Sequence, residues 1–323
     1  MSLWFPLMKD REEMIHDPHN QTFDWIFRDP AETGKPWDDI GKFLQTASSG
    51  TYWISGKAGS GKSTLMKYIS NNATTRRLLL RWAGQNELVM VSFYFYHGGS
   101  ELQKSEVGVL RSLLYQILAT RPGLIQLAFP ERFRALCIAG GQRETFEPSP
   151  TELRRAFNAV VQKCSDVNFF LAVDGLDEYN GADADMSLLV SMVRDLTQHS
   201  KVKGLLSSRP WAVFQQSFAG CPQLRLHDFT RPDIARFVSA KVGQHSRVQT
   251  MTAKDSQGVD NLMTEIVDAS CGVFLWVYLV VLSVLEGLTN YDMVEEIRYP
   301  STTLHKRQDF SCSWKRAPSR TSG

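Results

Sequence analysis

The stretch that most constrains this chain is Gly56-Lys57-Ala58-Gly59-Ser60-Gly61-Lys62-Ser63-Thr64. It matches the phosphate-loop pattern G-x-x-x-x-G-K-[ST]. Its flanks supply the context that such a loop needs. Thr51 to Ile54 are β-branched or aromatic, as in a buried strand, and Leu65 to Ile69 continue with the apolar spacing of a helix. Strand, glycine-rich turn and helix together point successive backbone N–H groups, and the positive end of a helix dipole, at one anion. Lys62 then reaches the β- and γ-phosphates of a nucleotide, and Ser63 ligates Mg²⁺. The expected cofactors are ATP or GTP with Mg²⁺, held by residues Gly56 through Thr64.

A phosphate loop alone hydrolyses nothing: the metal needs a carboxylate and the attacking water a base or an orienting group. Asn168 to Asp174 reads as the third strand, in which the apolar residues from Phe169 run straight into the acid. The carboxyl ends of strands are where open α/β sheets hold ligands. Asp174 is therefore expected beside the Mg²⁺ of Ser63. Asp177 and Glu178 stand just beyond, where either polarises water, although Asp-Gly-Leu-Asp is also an ordinary turn sequence. Arg209, at the end of the next strand, is placed either to sense a γ-phosphate or to serve as a structural partner beside Pro210.

The rest of the chain reads as an α/β core followed by helices. Trp37 to Leu44 reads as a short helix, and Arg76 to Asn86 as a charged connection. Leu88 to Phe95 is apolar almost throughout, as expected of a strand in the middle of a parallel sheet covered on both faces. Ser105 to Thr120 carries a broad apolar helical face that ends at Arg121-Pro122-Gly123, and Ala139 to Gln142 reads as a loop. Pro150 opens a further helix, Val202 to Leu206 is a fourth strand, and Gln223 to Leu226 a fifth. From Arg231 the alternation stops, and Pro232–Val242, Leu262–Ala269 and Val273–Leu288 read as helices. Val273 to Leu285 is too short for a membrane span, which needs about 20 residues, and reads as a buried core helix. The expected divisions are a linker over 1–36, the nucleotide domain over 37–226, a helical domain over 227–297 and a disordered tail over 298–323.

Other features are weaker. The formal net charge of +2 gives no global field to recruit nucleic acid or a membrane. Five scattered cysteines without a CxxC pair argue against zinc or a disulfide framework and fit a reducing, cytoplasmic setting. His16-Asp17-Pro18-His19 offers metal-ligating types, but Pro18 breaks their alignment, and a solvated loop is expected. Thr22 to Phe27 is an aromatic knot with two readings: a staple onto the next domain, or a wall against a nucleotide base.

In order along the chain, these motifs resemble those of fungal NACHT-domain proteins, the NOD-like-receptor relatives among the STAND NTPases, whose core is also identified as a nephrocystin-like N-terminal domain. The resemblance rests on Asn20 to Phe27, Trp53 to Lys67, Gln103 to Ser105 with Leu110 to Leu114, Asp174 to Glu178 as Walker B, Ser207 to Pro210 as sensor 1, and Gly272 to Val277. It implies a P-loop NTPase parallel sheet with helices on both faces, with an extra strand between those carrying the Walker motifs, followed by a small winged-helix-like domain. It also implies a molecular switch in non-self recognition or cell-death signalling. Such a switch is closed with diphosphate and self-associates with triphosphate, through effector or sensor proteins that the sequence does not name. Relatives carry an N-terminal effector domain and C-terminal WD, ankyrin or TPR repeats, which this stretch lacks. From Arg298 it turns Pro-, Ser- and Arg-rich, as expected of a truncated or mis-spliced gene model. Two other readings stand beside the switch. A metabolic phosphotransferase needs an Arg-bearing lid and a substrate-phosphate clamp, and no Arg cluster resembles one. A nucleotide-binding scaffold without turnover needs only the loop.

Overall fold

In a computed structural model, residues 3–33, 36–138, 147–181, 183–252 and 256–289 are described. The expected loop at Ala139–Gln142 and the tail from residue 298 lie outside them. The chain divides into two compact units, Met1–Leu226 and His227–Gly323.

The first unit runs α1 (Asp10–Met14), α2 (Ile40–Gln45), β1 (Gly50–Ser55), α3 (Lys62–Asn71), α4 (Ala73–Ala83), β2 (Glu87–Tyr94), α5 (Glu106–Thr120), α6 (Ile125–Ala128), α7 (Pro130–Ile138), α8 (Pro150–Lys163), β3 (Val167–Asp174), α9 (Asp183–Thr197), β4 (Val202–Ser208), α10 (Ala212–Ser217) and β5 (Gln223–Arg225). All strand pairs are parallel, in the order β2-β3-β4-β1-β5. Parallel neighbours need crossovers, and the helices between the strands supply them. This is the P-loop NTPase layout, with β4 inserted between β1 and β3. Every residue of β3 and β4 is buried. The register aligns Ser55 with Ser208 and Tyr94 with Asp174, so the carboxyl ends of β1 to β4 finish level on one edge.

Three expectations about elements of this unit are corrected. The stretch from Arg76 is not a connection but most of α4. Leu78, Leu79 and Ala83 face inward while Arg76, Arg77 and Arg81 face water, and the arginines hide the apolar spacing. The Asn72 side chain caps this helix by accepting from Thr74 N at 2.8 Å. β2 is an edge strand and not a middle one: an apolar run reports covered faces, not paired rims. Its open rim is met by Gln116 of α5, whose Oε1 accepts from Ser92 N at 3.1 Å and whose Nε2 donates to Ser92 O at 2.7 Å. Near the start of the unit, Asp39 caps α2, so only the second half of Trp37–Leu44 is helical.

The segment expected to be a linker packs into this unit. Leu3 and Phe5 belong to the same core as Phe93, Leu113, Phe157 and Phe169. Arg111, itself buried, donates from Nε to Leu3 O at 3.3 Å and from Nη2 to Trp4 O at 3.1 Å. Lys67 Nζ donates to Ile15 O at 2.6 Å and pairs with Asp17 at 3.2 Å. Leu7, Gln21 and Phe23 hold φ of 65°, 61° and 70°, the left-handed region that disfavours side chains. Near the amino end of β4, Lys203 is fully buried. Its Nζ donates to Phe43 O and Ser48 O and lies 4.5 Å from the Phe43 ring centroid.

The second unit is helical: α11 (Arg231–Val242), α12 (Ser246–Thr252), α13 (Ser256–Ala269) and α14 (Phe274–Thr289). Ile234, Val238, Leu262, Ile266, Val277 and Val281 form its core. The turn into α14 passes Gly272 at φ 79°, where a Cβ would lie 2.3 Å from His227 O. The segment Val273–Leu285 is buried on one side only, because Leu275, Tyr278, Leu279 and Leu282 recur at helical spacing on an exposed face. Among the described residues, no helix is long and apolar enough to cross a membrane.

Candidate functional site

β1 ends at Ser55, the loop turns, and α3 begins at Lys62. The glycines are required where they stand. A Cβ at Gly56 would lie 2.7 Å from Ser60 Oγ, and Gly61 has φ 93°. Gly56 N donates to Ser208 O at 3.3 Å, which pins the loop to β4. Lys62 Nζ donates inward, to Gly56 O at 2.9 Å and Lys57 O at 3.0 Å. Burial lowers the Lys62 pKa, and the charges of Asp177 and Asp174 oppose that shift. Ser60 is buried, and its Oγ has no hydrogen-bond partner. Ser63 and Thr64 follow in the first turn of α3 and are partly exposed.

Asp174 closes β3 and is buried. Its Oδ1 accepts from Ser207 Oγ, which in turn accepts from Gly175 N at 3.0 Å. Its Oδ2 is buried without a hydrogen-bond partner. Burial pushes the carboxyl up; the Ser207 and Ser63 hydroxyls and the Lys62 ammonium pull it back. An oxygen left bare inside a protein is costly, and a cation beside Ser63 removes that cost. The residues present thus fit Mg²⁺.

The two acids after it have different partners. In the turn Leu176–Glu178, Asp177 Oδ1 accepts from Arg209 N at 2.9 Å, and its Oδ2 pairs with Arg209 Nε at 2.9 Å. Both oxygens of Asp177 are engaged by Arg209. Glu178 Oε2 accepts from His97 N at 3.0 Å. Burial raises the Glu178 pKa; the His97 N–H and the Arg11 charge oppose this, while Asp174 and Asp177 add to it. The structure therefore gathers the loop, Asp174, Asp177, Glu178 and Arg209 on one sheet edge. Sequence reasoning placed Ser207 only within the sensor-1 stretch and not on Asp174, and it did not find His97 or Arg11.

The aromatic knot lies against this loop. Phe23 is buried, and its Cζ is 3.6 Å from where a Gly61 Cβ would stand. Phe23 and Phe27 meet Tyr68 of α3 at centroid distances of 6.0 and 6.4 Å, and Trp25 meets Trp37 edge-on at 5.6 Å. Staple and wall are compatible in this arrangement, since Phe23 fastens the segment while Trp25 remains half-buried. Among the described residues, no group of three or more His, Cys, Asp or Glu is placed to hold a metal.

Residues 21–209, more than half the chain, match the family model described as nephrocystin 3, N-terminal. The chain belongs to the nephrocystin 3 N-terminal family. That family's match runs from the aromatic knot through the phosphate loop to Arg209. A search of curated protein sequences gives no match. Solved structures that are similar include Cdc6p from Pyrobaculum aerophilum, at 13% identity and TM-score 0.40 over 78% of this chain and 60% of that one. Drosophila ORC bound to DNA matches at 13% identity and TM-score 0.44, over 86% and 67% of the two chains. C. elegans PCH-2 matches at 9% identity and TM-score 0.39, over 80% and 60%. This chain spans less than two thirds of the first of these, and such distant likenesses say nothing of its ligand or partners.

Proposed function

We propose that this chain is an ATP- or GTP-binding molecular switch of the NACHT type with slow Mg²⁺-dependent hydrolysis. The observation that carries the reading is the bare, buried Oδ2 of Asp174 beside the start of α3. Bound Mg²⁺ would be held by Ser63 and Asp174 and would supply positive charge against that of the phosphates. Lys62 gives up the Gly56 and Lys57 carbonyls for phosphate oxygens, and the loop amides supply the remaining donors. Glu178 takes the proton of the attacking water, because Asp177 is committed to Arg209. Asp177 thereby holds the Arg209 charge near Lys62, where it can meet a γ-phosphate. Trp25 and its neighbours face the base.

In this reading residues 37–226 are the NTPase domain and 227–297 the winged-helix-like domain. The exposed apolar face of α14 supports self-association in the triphosphate state. The motifs favour a cytoplasmic role in fungal non-self recognition or cell-death signalling. Calorimetry with ATP, GTP and their diphosphates, with and without Mg²⁺, tests the site. Lys62→Ala removes a charge-assisted contact of ~1.5–3 kcal/mol, so affinity should fall at least about tenfold. Equal affinity in wild type and variant would sink the assignment.

A further inference from the structure

Three parts of the first unit meet beside the nucleotide site: the segment of Leu7 and α1, the loop after β2 and the turn after β3. Gln103, buried in the turn Glu101–Lys104, joins the first two. Its carbonyl accepts the Tyr96 N–H at 3.0 Å, and its Nε2 donates to Leu7 O at 2.9 Å. Its Oε1 accepts from Ser100 N at 2.9 Å, which closes the loop on itself. Four residues beyond Leu7, Arg11 lays its guanidinium over the Tyr96 ring, with Cζ 4.9 Å from the centroid. The ring's negative face holds the cation there. The residue after Tyr96 is His97, whose N–H donates to Glu178 Oε2 at 3.0 Å. Arg11 Nε is buried and has no hydrogen-bond partner.

A carboxylate that takes a proton from water must be both ionised and aimed. Glu178 works against burial and against the charges of Asp174 and Asp177. Arg209 is turned to Asp177, and Lys62 to the loop carbonyls. What supports the Glu178 charge is the His97 N–H and the Arg11 cation. One contact chain, Arg11 to Tyr96 to His97 to Glu178, sets where that support stands.

We infer that Arg11 is a positioning residue for Glu178, acting through Tyr96 and the His97 N–H, so that the N-terminal segment is part of the hydrolytic site. The inference rests on Glu178 being the base. Arg11 lies outside residues 21–209 that the family model matches.

The test uses the full chain with Arg11→Ala and Arg11→Lys. In nucleotide-free protein, ¹³C-carboxyl NMR follows the titration of Glu178, assigned by Glu178→Gln. Arg11→Ala should move that titration to higher pH, and Arg11→Lys should restore much of the difference. In single-turnover hydrolysis Arg11→Ala should lower the rate about tenfold and move the acid limb of the pH profile upward, with nucleotide Kd changed less than about twofold. An unmoved Glu178 titration in Arg11→Ala overturns the inference. So does a fall in rate and affinity together with an unmoved acid limb, which is a general loss of structure. If the titration moves while Glu178→Gln leaves turnover intact, Arg11 still positions Glu178, and the assignment of the base is what fails. Should Arg11→Ala not fold, Arg11→Gln removes the charge with less lost packing and is read the same way.

Discussion

In Asp174→Asn the buried carboxylate becomes a neutral amide of nearly the same shape. Its Oδ1 still accepts from Ser207 Oγ. What disappears is the charge on a buried oxygen with no hydrogen-bond partner, whose burial costs more than ~1–3 kcal/mol, while the neutral amide N–H group that takes its place costs less to bury. Against this stands Lys62, which loses one nearby acid. Asp177 acts on Lys62 more than Asp174 does, and both carbonyl bonds of Nζ remain. That loss is about 1 kcal/mol at most for a partly screened pair. The variant should therefore be more stable than wild type by ~1 kcal/mol without ligand, a rise in Tm of ~2–4 °C for a unit of this size. The pH dependence has a definite sign. Burial raises the Asp174 pKa, so above it the unfolded chain is the better acid and the wild type carries the full penalty. As pH falls through the folded-state value towards the ordinary one near ~3.9, the carboxyl protonates and the gap between the two proteins closes. Saturating Mg²⁺ and nucleotide should reverse the order, because ligand stabilises only the form that binds it. Differential scanning fluorimetry with EDTA, then with Mg²⁺ and nucleotide, measures both. A folded Asn variant that melts below wild type at neutral pH without ligand would refute the argument from the bare oxygen.

Three further outcomes are expected. Glu178→Gln should keep nucleotide affinity and lower turnover about a hundredfold, since the amide cannot accept water's proton; an effect of that size from Asp177→Asn instead would reassign the base. Gly108→Ala places a Cβ 1.6 Å from Leu102 O, so urea melts should show ~3 kcal/mol of lost stability, and a change under ~1 kcal/mol would contradict the close approach. Burial lowers Lys203 to about 8, so the unfolded chain binds that proton more tightly, and wild type should gain stability over Lys203→Met as pH rises from about 8 towards ~10.4. Paired denaturant melts across that range read the difference directly, and a constant gap would mean that Lys203 does not titrate there.

What the sequence made legible was local. The phosphate loop is flanked by β1 and α3 as its residues demand, and an apolar run ending in an acid put Asp174 on the sheet edge. What stayed hidden depends on partners distant in the chain. Asp177 and Glu178 are adjacent acids in one turn; what tells them apart is the backbone and guanidinium of Arg209 on one and the His97 amide on the other. β2 reads as central because its faces are apolar, while its rim is met by one glutamine side chain on α5. Leu3 and Phe5 have no periodicity to mark them as core, and the group that clasps their segment is Arg111, more than a hundred residues on.

That distance has a consequence for synthesis. Leu7, Gln21 and Phe23 each hold a left-handed backbone, at ~1–2 kcal/mol apiece. The segment does not hold itself; it is held by Lys67, Gln103 and Arg111. A ribosome delivers it well before those side chains. Until Tyr96 has left the exit tunnel Arg11 has no ring to lie on, and until α5 has left it the Leu3 segment has no Arg111 to clasp it. Residues made first must therefore wait for partners that arrive as much as 108 residues later in the chain.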